Sequence, residues 1–273
     1  ADIVVTEAGF GADMGAEKFF DIKCRASGLD PDAALMVATI RALKMHSGRF
    51  EIKAGKPLPE ALIQEDLVAL SEGLCNLEGH IANVKSFGIP VVVAINIFPT
   101  DTEAEIEMVR KAALAAGASA AHVSTMFMDG GAGGEDLAHA LVAACEEESN
   151  FELLYPDDMP LWEKMRTIAQ RIYGADDIIA DKKVMGQFEA AEKGGFGHYP
   201  ICVAKSQYSL SADPSLKGAP SGFVVPVRDI KVSAGAEFVV AICGDVMTMP
   251  GLPRVPAANS IGVDETGEIV GLF

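Results

Sequence analysis

The sequence predicts an α/β protein, with parallel and mixed sheets flanked by helices, and three observations predict it. Short runs rich in Val, Ile and Ala alternate with longer amphipathic stretches along the 273 residues. One run, "IPVVVAINIF", is apolar without interruption, as a strand covered on both faces must be. Glycine clusters follow strand-like runs twice, in "EAGFGADMG" and "MDGGAGG", where open α/β sheets turn from strand to helix.

The elements follow in chain order. "DIVVT" reads as a strand, Ile3 to Thr6, entering a glycine loop and then a helix from about Ala16 to Ser27. A strand at the first residues needs neighbours, so the expectation is a chain that begins inside a domain. "ALMVATI" (Ala34 to Ile40) is the next strand, followed by the short helical "RALKMH"; "SGRFEIKAGKPLPEA" is an exposed loop. A long helix spans Asp66 to Phe87, with Leu67, Leu70, Leu74, Leu77, Ile81 and Val84 at helical spacing and Gly88 as its stop.

The buried strand Val91 to Ile97 leads to a helix with acidic residues in its first turn, a capping box expected at Thr100 and Glu103, and a stop at Gly117. "SAAHVSTMF" is a strand, and a helix runs on from the second glycine cluster to about Glu147. Beyond "YPDDMP" the pattern predicts helices at Leu161 to Tyr173 and Lys182 to Lys193. Strands "GFVVPVRDIKV" and "EFVVAICG" follow, then a hairpin "SIGVDETGEIVGLF" turning at Glu265-Thr266-Gly267.

Composition excludes several classes. The net charge of −17 argues against a nucleic-acid partner. Its distribution is uneven: residues 1–56 are neutral, 57–160 carry 3 Lys/Arg against 18 Asp/Glu, and 161–273 carry 11 against 13. The balanced first segment, with Lys18, Lys23, Arg25, Arg41, Lys44 and Arg49, is the part that could receive an anion; the acidic middle reads as a solvated face. No apolar run is long enough to cross a bilayer, and no secretory pattern opens the chain. Five cysteines without CxxC spacing point to buried thiols in a reducing cytosol, with Cys202 and Cys243 in core strands, rather than to zinc or disulfides.

The stretches that could carry chemistry lie at strand ends. Gly9, Gly11 and Gly15 stand between a strand and a helix, where backbone N–H groups can approach a phosphate, though the spacing is a weak signal. The next strand ends on Arg41 instead of an acid, which disfavours NAD and leaves an NADP oxidoreductase as a minor reading. Arg41, Lys44 and His46 fit an anion-receiving corner and, slightly better, a solvated helix face. Phe98, pinned by Pro99, is either a lid on the core or a rigid plate beside a ligand. Phe127 and the side-chain-poor loop Gly130 to Gly134 leave the neighbouring strand toward the same side. Two plates with a gap suit a flat heterocycle, which favours the ligand reading of Phe98. His80, His122 and His198 read as structural. No GxxxxGK[ST] phosphate loop occurs.

"TEAGFGADMGAEKF", "VATIRALKMHSG", "VVVAINIFPTDTEAE" and "MTMPGLPRVPAANSI…GEIVGLF" closely resemble the formate–tetrahydrofolate ligases over essentially the whole chain, matching their C-terminal half. The resemblance implies ATP-dependent formylation of tetrahydrofolate at N10 through formyl phosphate, with the ATP-gripping loop in an N-terminal half that this sequence lacks. It implies three parts: the C-terminal portion of a P-loop-type nucleotide domain at 1–66, an α/β domain with folate- and nucleotide-facing loops at 67–160, and a mixed α/β domain at 161–273. Phe98 and Phe127, the latter Trp in some members, would sandwich a ring. Asn96 and Pro99 would join them at the substrate, and Gly15, Val123, Ser124, Gly130 and Gly131 would lie near the nucleotide. "KMHSG" carries Ser47 where the family has Gly. ATP with Mg²⁺ as substrate, tetrahydrofolate, formate, a cytoplasmic location and a homotetramer complete what it implies. The rival expectation is a non-catalytic assembly or regulatory chain that pairs with a separate P-loop-bearing partner.

Overall fold

The uninterrupted apolar run becomes the middle strand of a parallel sheet, and its two covers explain its composition. A computed structural model describes residues 1–52, 57–244, 254–267 and 269–271. It places β1 (Ala34–Ala38), β2 (Val91–Asn96) and β3 (Ala120–Ser124) side by side in the order β1-β2-β3, all parallel. Val91, Val93 and Ile95 face the main core, while Val92 and Ala94 face a smaller one with Leu137 and Ala144. Successive side chains of a strand point to opposite faces, so a strand buried on both must be apolar throughout.

Helix α1 runs from Gly15–Lys18 through a π-wound segment, Phe19–Cys24, to Arg25–Ser27. Thr39 caps α2 (Ile40–Met45), and Asp66 caps α3 (Leu67–Lys85). Leu70, Leu74, Leu77, Ile81 and Val84 form the buried stripe of α3 as the helical spacing predicts. Gly73 lets α3 approach α2 closely, because a Cβ there would collide with the Leu43 carbonyl. Helices α4 (Glu103–Ala115) and α5 (Glu135–Ala144) complete the layers.

The second half builds a mixed four-stranded sheet, ordered β4 (Asp177–Ile179), β6 (Val224–Ser233), β7 (Phe238–Cys243), β5 (Ile201–Ala204). Helices α6 (Leu161–Arg171) and α7 (Lys182–Ala191) pack with it. A short hairpin, β8 (Gly262–Val263) with β9 (Ile269–Val270), follows, its turn closed by a Gly267 N–H to Asp264 carbonyl bond.

One apolar cluster spans both sheets, and α1 stitches them together. Phe20 packs on Phe87 and Phe151 at 4.7 and 5.6 Å between ring centroids. Asp13 pairs with Lys205 at 2.7 Å, Arg25 with Asp157 at 2.6 Å, and Asp21 accepts the Leu154 N–H at 2.9 Å.

Several expectations are corrected. Ile3 to Thr6 is not a strand: the segment is irregular, with Ile3, Val4 and Val5 49, 76 and 71% exposed. Strand propensity alone does not make a strand without a hydrogen-bonding neighbour, and none stands beside it among the described residues. The capping box forms at Thr102 and Glu105, two residues later than expected. A turn at 98–101, closed by the Asp101 side chain, postpones the helix start. The strand after Ala120 stops at Ser124, before Met126 and Phe127. β4 and β5 carry too few residues to stand out by pattern. Cys243 is fully buried, whereas Cys202 is only half-buried. Residues 53–56 of the expected loop, 245–253, which include the start of "MTMPGLPRVPAANSI", and Glu268, Leu272 and Phe273 of the hairpin lie outside the described residues.

Candidate functional site

Parallel strands deliver their exits to one edge, so the chain leaving β1, β2 and β3 emerges side by side. Asn96 pairs with Ser124 in register, and the Ile97 N–H reaches the Ser124 carbonyl at 3.4 Å. Past Asn96 the chain turns at once. The Phe98 N–H donates to Asp101 Oδ2 and the Asp101 N–H to the Phe98 carbonyl, both at 2.9 Å. Pro99 sits inside this turn, and Phe98 is held half-buried above the strand end. Burial pushes the Asp101 carboxyl up, opposed by the Phe98 N–H and by Arg41.

Behind the turn, Glu105 is fully buried and anchors three elements. Its Oε1 accepts from Lys44 Nζ at 2.8 Å and from the Asp66 N–H at 3.1 Å, and its Oε2 accepts the Thr102 N–H at 3.1 Å. Burial pushes this carboxyl up, but those hydrogen bonds outweigh it and hold it below the usual range. Lys44 is therefore part of the foundation, neither an anion receiver nor a solvated face, because a buried carboxylate requires its charge. His46 is also inward: burial, with His80 and Lys217, lowers its pKa to about 4, and its Nδ1 accepts the Gly218 N–H at 3.3 Å. Arg25 and Arg49 are engaged by Asp157 and Glu72.

On β3, Ser124 is buried and Val123 half-buried, and the next residues form a single helical turn, Met126–Asp129. Phe127 stands on it 84% exposed, flanked by the exposed Met126 and Met128. The Gly130–Gly134 segment is 3₁₀-wound; Gly133 and Gly134 press on Thr125 and Met126, while Gly130 and Gly131 border open space. The result is an aromatic knob beside a ledge almost free of side chains.

The structure thus gathers Asn96, Phe98, Pro99, Val123, Ser124, Phe127, Gly130 and Gly131 at one edge. Gly15 is elsewhere. Gly11 and Asp13 lie beside His80, fourteen residues along α3 from Asp66, which at 1.5 Å per residue is about 20 Å from the Glu105 anchor. Gly15 itself folds back on Gly9, whose carbonyl occupies the place of a Cβ, and its N–H is taken by the Gly11 carbonyl at 2.8 Å. Sequence reasoning missed one member of the edge in this role. The Arg41 guanidinium carbon lies 3.9 Å from the Phe98 ring centroid. The signal was present: Arg41 leaves the strand next to β2, at the same edge.

Comparison with known proteins gives the chain a family. The model of the family described as "Formate--tetrahydrofolate ligase" matches residues 1–273. The chain is 57% identical to the formate–tetrahydrofolate ligase of Granulibacter bethesdensis, covering 100% of this chain and 46% of that protein. It is 56% identical to those of Cereibacter sphaeroides (strain ATCC 17029) and of a Sphingobium species, covering 47% and 48% of them. The chain spans about half the length of the curated relatives it matches. It belongs to the formate–tetrahydrofolate ligase family.

Proposed function

We propose that this chain is the C-terminal portion of an ATP-dependent formate–tetrahydrofolate ligase and supplies the ring-holding edge of its active site. The observation that carries this reading is the family match over every residue of the chain. In this reading Phe98 and Phe127 are the two plates of a slot for a flat ring, with Asn96 and Pro99 at its base. Val123, Ser124, Gly130 and Gly131 form the wall along which the nucleotide lies; Gly15, folded back on Gly9 away from this edge, has no part in it. The slot's work is to orient one reactant while formate is activated as formyl phosphate and N10 of tetrahydrofolate attacks the formyl carbon. Stacking fixes the plane of a ring, and a ledge without side chains lets it slide close to the backbone.

Phosphate handling belongs to the remainder of the enzyme, since the sequence has no GxxxxGK[ST] loop. Mg²⁺ enters, in this reading, with ATP as part of that substrate. The division at about residues 66 and 160, a cytoplasmic location and homo-oligomeric assembly are parts of the same proposal; no helix among the described residues is long and apolar enough to cross a membrane.

The test is turnover. Purified chain given ATP, formate and tetrahydrofolate should release no ADP above blank. Joined to the N-terminal half of a relative, it should form 10-formyltetrahydrofolate. Robust turnover by the chain alone would overturn the division of labour, and inactivity of the joined protein would overturn the assignment.

A further inference from the structure

The Phe98 ring already has a partner on one face, and the inference drawn from this rests on the proposed ring slot. Arg41 stands just past the Thr39 cap at the exit of β1. Its guanidinium carbon is 3.9 Å from the Phe98 ring centroid, and its Nη2 donates to Thr100 Oγ1 at 3.1 Å. Thr100 and Phe98 share the turn closed by Asp101. One side chain therefore grips that turn twice, by a hydrogen bond and by stacking. The buried Arg41 Nε has no hydrogen-bond partner, so the group gives up a donor to keep this pose.

Sheet order sets the neighbours. β1 and β3 flank β2 on opposite sides, so Arg41 and Phe127 leave strands on opposite sides of the one that ends at Phe98. We propose that Arg41 is a positioning and specificity-determining residue of the ring slot: stacked behind Phe98, it fixes the plane of the ring, closes one face, and leaves the face toward Phe127 for a ligand's heterocycle. A cation on one face of a π system is held by the ring quadrupole, and a planar guanidinium can lie flat there while forking a hydrogen bond to Thr100. A lysine ammonium is a point charge without a plane and does not reproduce both contacts.

The test titrates the chain with adenosine and with tetrahydrofolate as ring probes, and with ATP as a phosphate-bearing control, in wild type, Arg41→Lys, Arg41→Ala and Thr100→Val. Denaturation midpoints and the NMR resonances of the Phe98 ring are recorded on the same samples. Both Arg41 variants should weaken binding of the ring probes about three- to tenfold, with adenosine and ATP affected alike. The Phe98 resonances should shift, the midpoint should fall slightly, as loss of one partly exposed contact requires, and Thr100→Val should give a smaller change of the same kind.

Four results would overturn the inference and leave the slot standing: a loss confined to ATP, which makes Arg41 a phosphate grip; tighter ring binding in Arg41→Ala, which puts Arg41 in the ligand's place; unchanged affinity and resonances; or a lowered midpoint with normal affinity, which is a structural role only. Wild-type chain that binds no ring probe overturns the slot itself, and the inference with it.

Discussion

Two regions of this molecule place charged groups against aromatic rings, and they do so to opposite ends. At the edge formed by β1, β2 and β3, Arg41 lies on a half-exposed Phe98, with Phe127 standing free nearby. In the seam between the two sheets, Asp13, Glu17, Asp21, Lys164 and Lys205 are all nearly or fully buried around Tyr155 and Tyr173. Lys205 Nζ pairs with Asp13, bonds to the Ser209 carbonyl at 2.6 Å, and sits 4.7 Å from the Tyr173 ring centroid. Lys164 Nζ donates to three carbonyls, of Asp157, Gly197 and Tyr199, and burial lowers its pKa to about 8. Glu17 has no hydrogen-bond partner for either oxygen, and burial raises its pKa to about 8. The comparison teaches that solvent access decides what a charge is for. Where water reaches, a cation and a ring remain available to a ligand; where it does not, every charge must be paired, bonded or neutralised.

The largest effect should come from unpairing the seam. Lys205→Ala strands Asp13 in a buried position and should cost about 3–5 kcal/mol in a denaturant titration. The double change Asp13→Asn with Lys205→Met should cost clearly less. Equal losses would mean that the pair is not coupled.

The second prediction concerns pH. Glu17 titrates near 4.5 when unfolded and at about 8 when folded, so between those values the folded state holds a proton the unfolded state has released. The contribution of Glu17 to stability is therefore greatest below the unfolded value, falls as pH rises through this window, and levels off above about 8, a loss on the order of a few kcal/mol. Asp21, raised to about 6 mainly by burial, adds a smaller fall of the same sign at lower pH. Glu17→Gln should raise the midpoint at pH 8 and remove the fall between about pH 6.5 and 8. At lower pH the Asp21 fall remains, opposed by His46, whose pKa lowered to about 4 makes stability rise with pH up to about 6.5. A wild-type midpoint that is level from pH 5 to 8 would refute a neutral Glu17.

The smallest stability effects should lie at the edge. Phe127→Ala, at 84% exposure, should change stability by less than about 0.5 kcal/mol, and Phe98→Ala by about 1 kcal/mol through the lost Arg41 contact. Phe20→Ala, in the core, should cost about 3–5 kcal/mol. Ring-ligand affinity should rank the opposite way, with either edge variant weakened about tenfold and Phe20→Ala normal while folded. A Phe98→Ala chain that unfolds readily yet binds normally would make Phe98 a lid on the core.

The candidate edge was legible wherever its residues follow strand ends at short range. Phe98, Pro99, Phe127 and the Gly130 loop could be read from β2, β3 and their exits, because a parallel sheet carries successive exits to one edge. The seam was not legible. Asp13 and Lys205 are 192 residues apart, and nothing local in "GADMG" or "VAKSQ" shows that these charges meet out of water. Lys44 and Glu105, 61 residues apart, were hidden in the same way inside stretches that look like solvated helix faces.

Local physics thus settled much of the chain from its sequence alone. Helical spacing set α3, an unbroken apolar run set β2, and glycines at positive φ ended their helices at Gly88 and Gly117. These depend on near neighbours, which the sequence lists in order. Tertiary structure alone decided that Ile3 to Thr6 has no ladder to join, that the cap falls at Thr102 because Asp101 first closes a turn, and that Arg41 lies on Phe98. It also decided which of the many acids lose water, and so which are paired and which, like Glu17, are neutral. Hydrogen-bond ladders and desolvation are contributions from distant residues, and they exist only once the chain has brought those residues together.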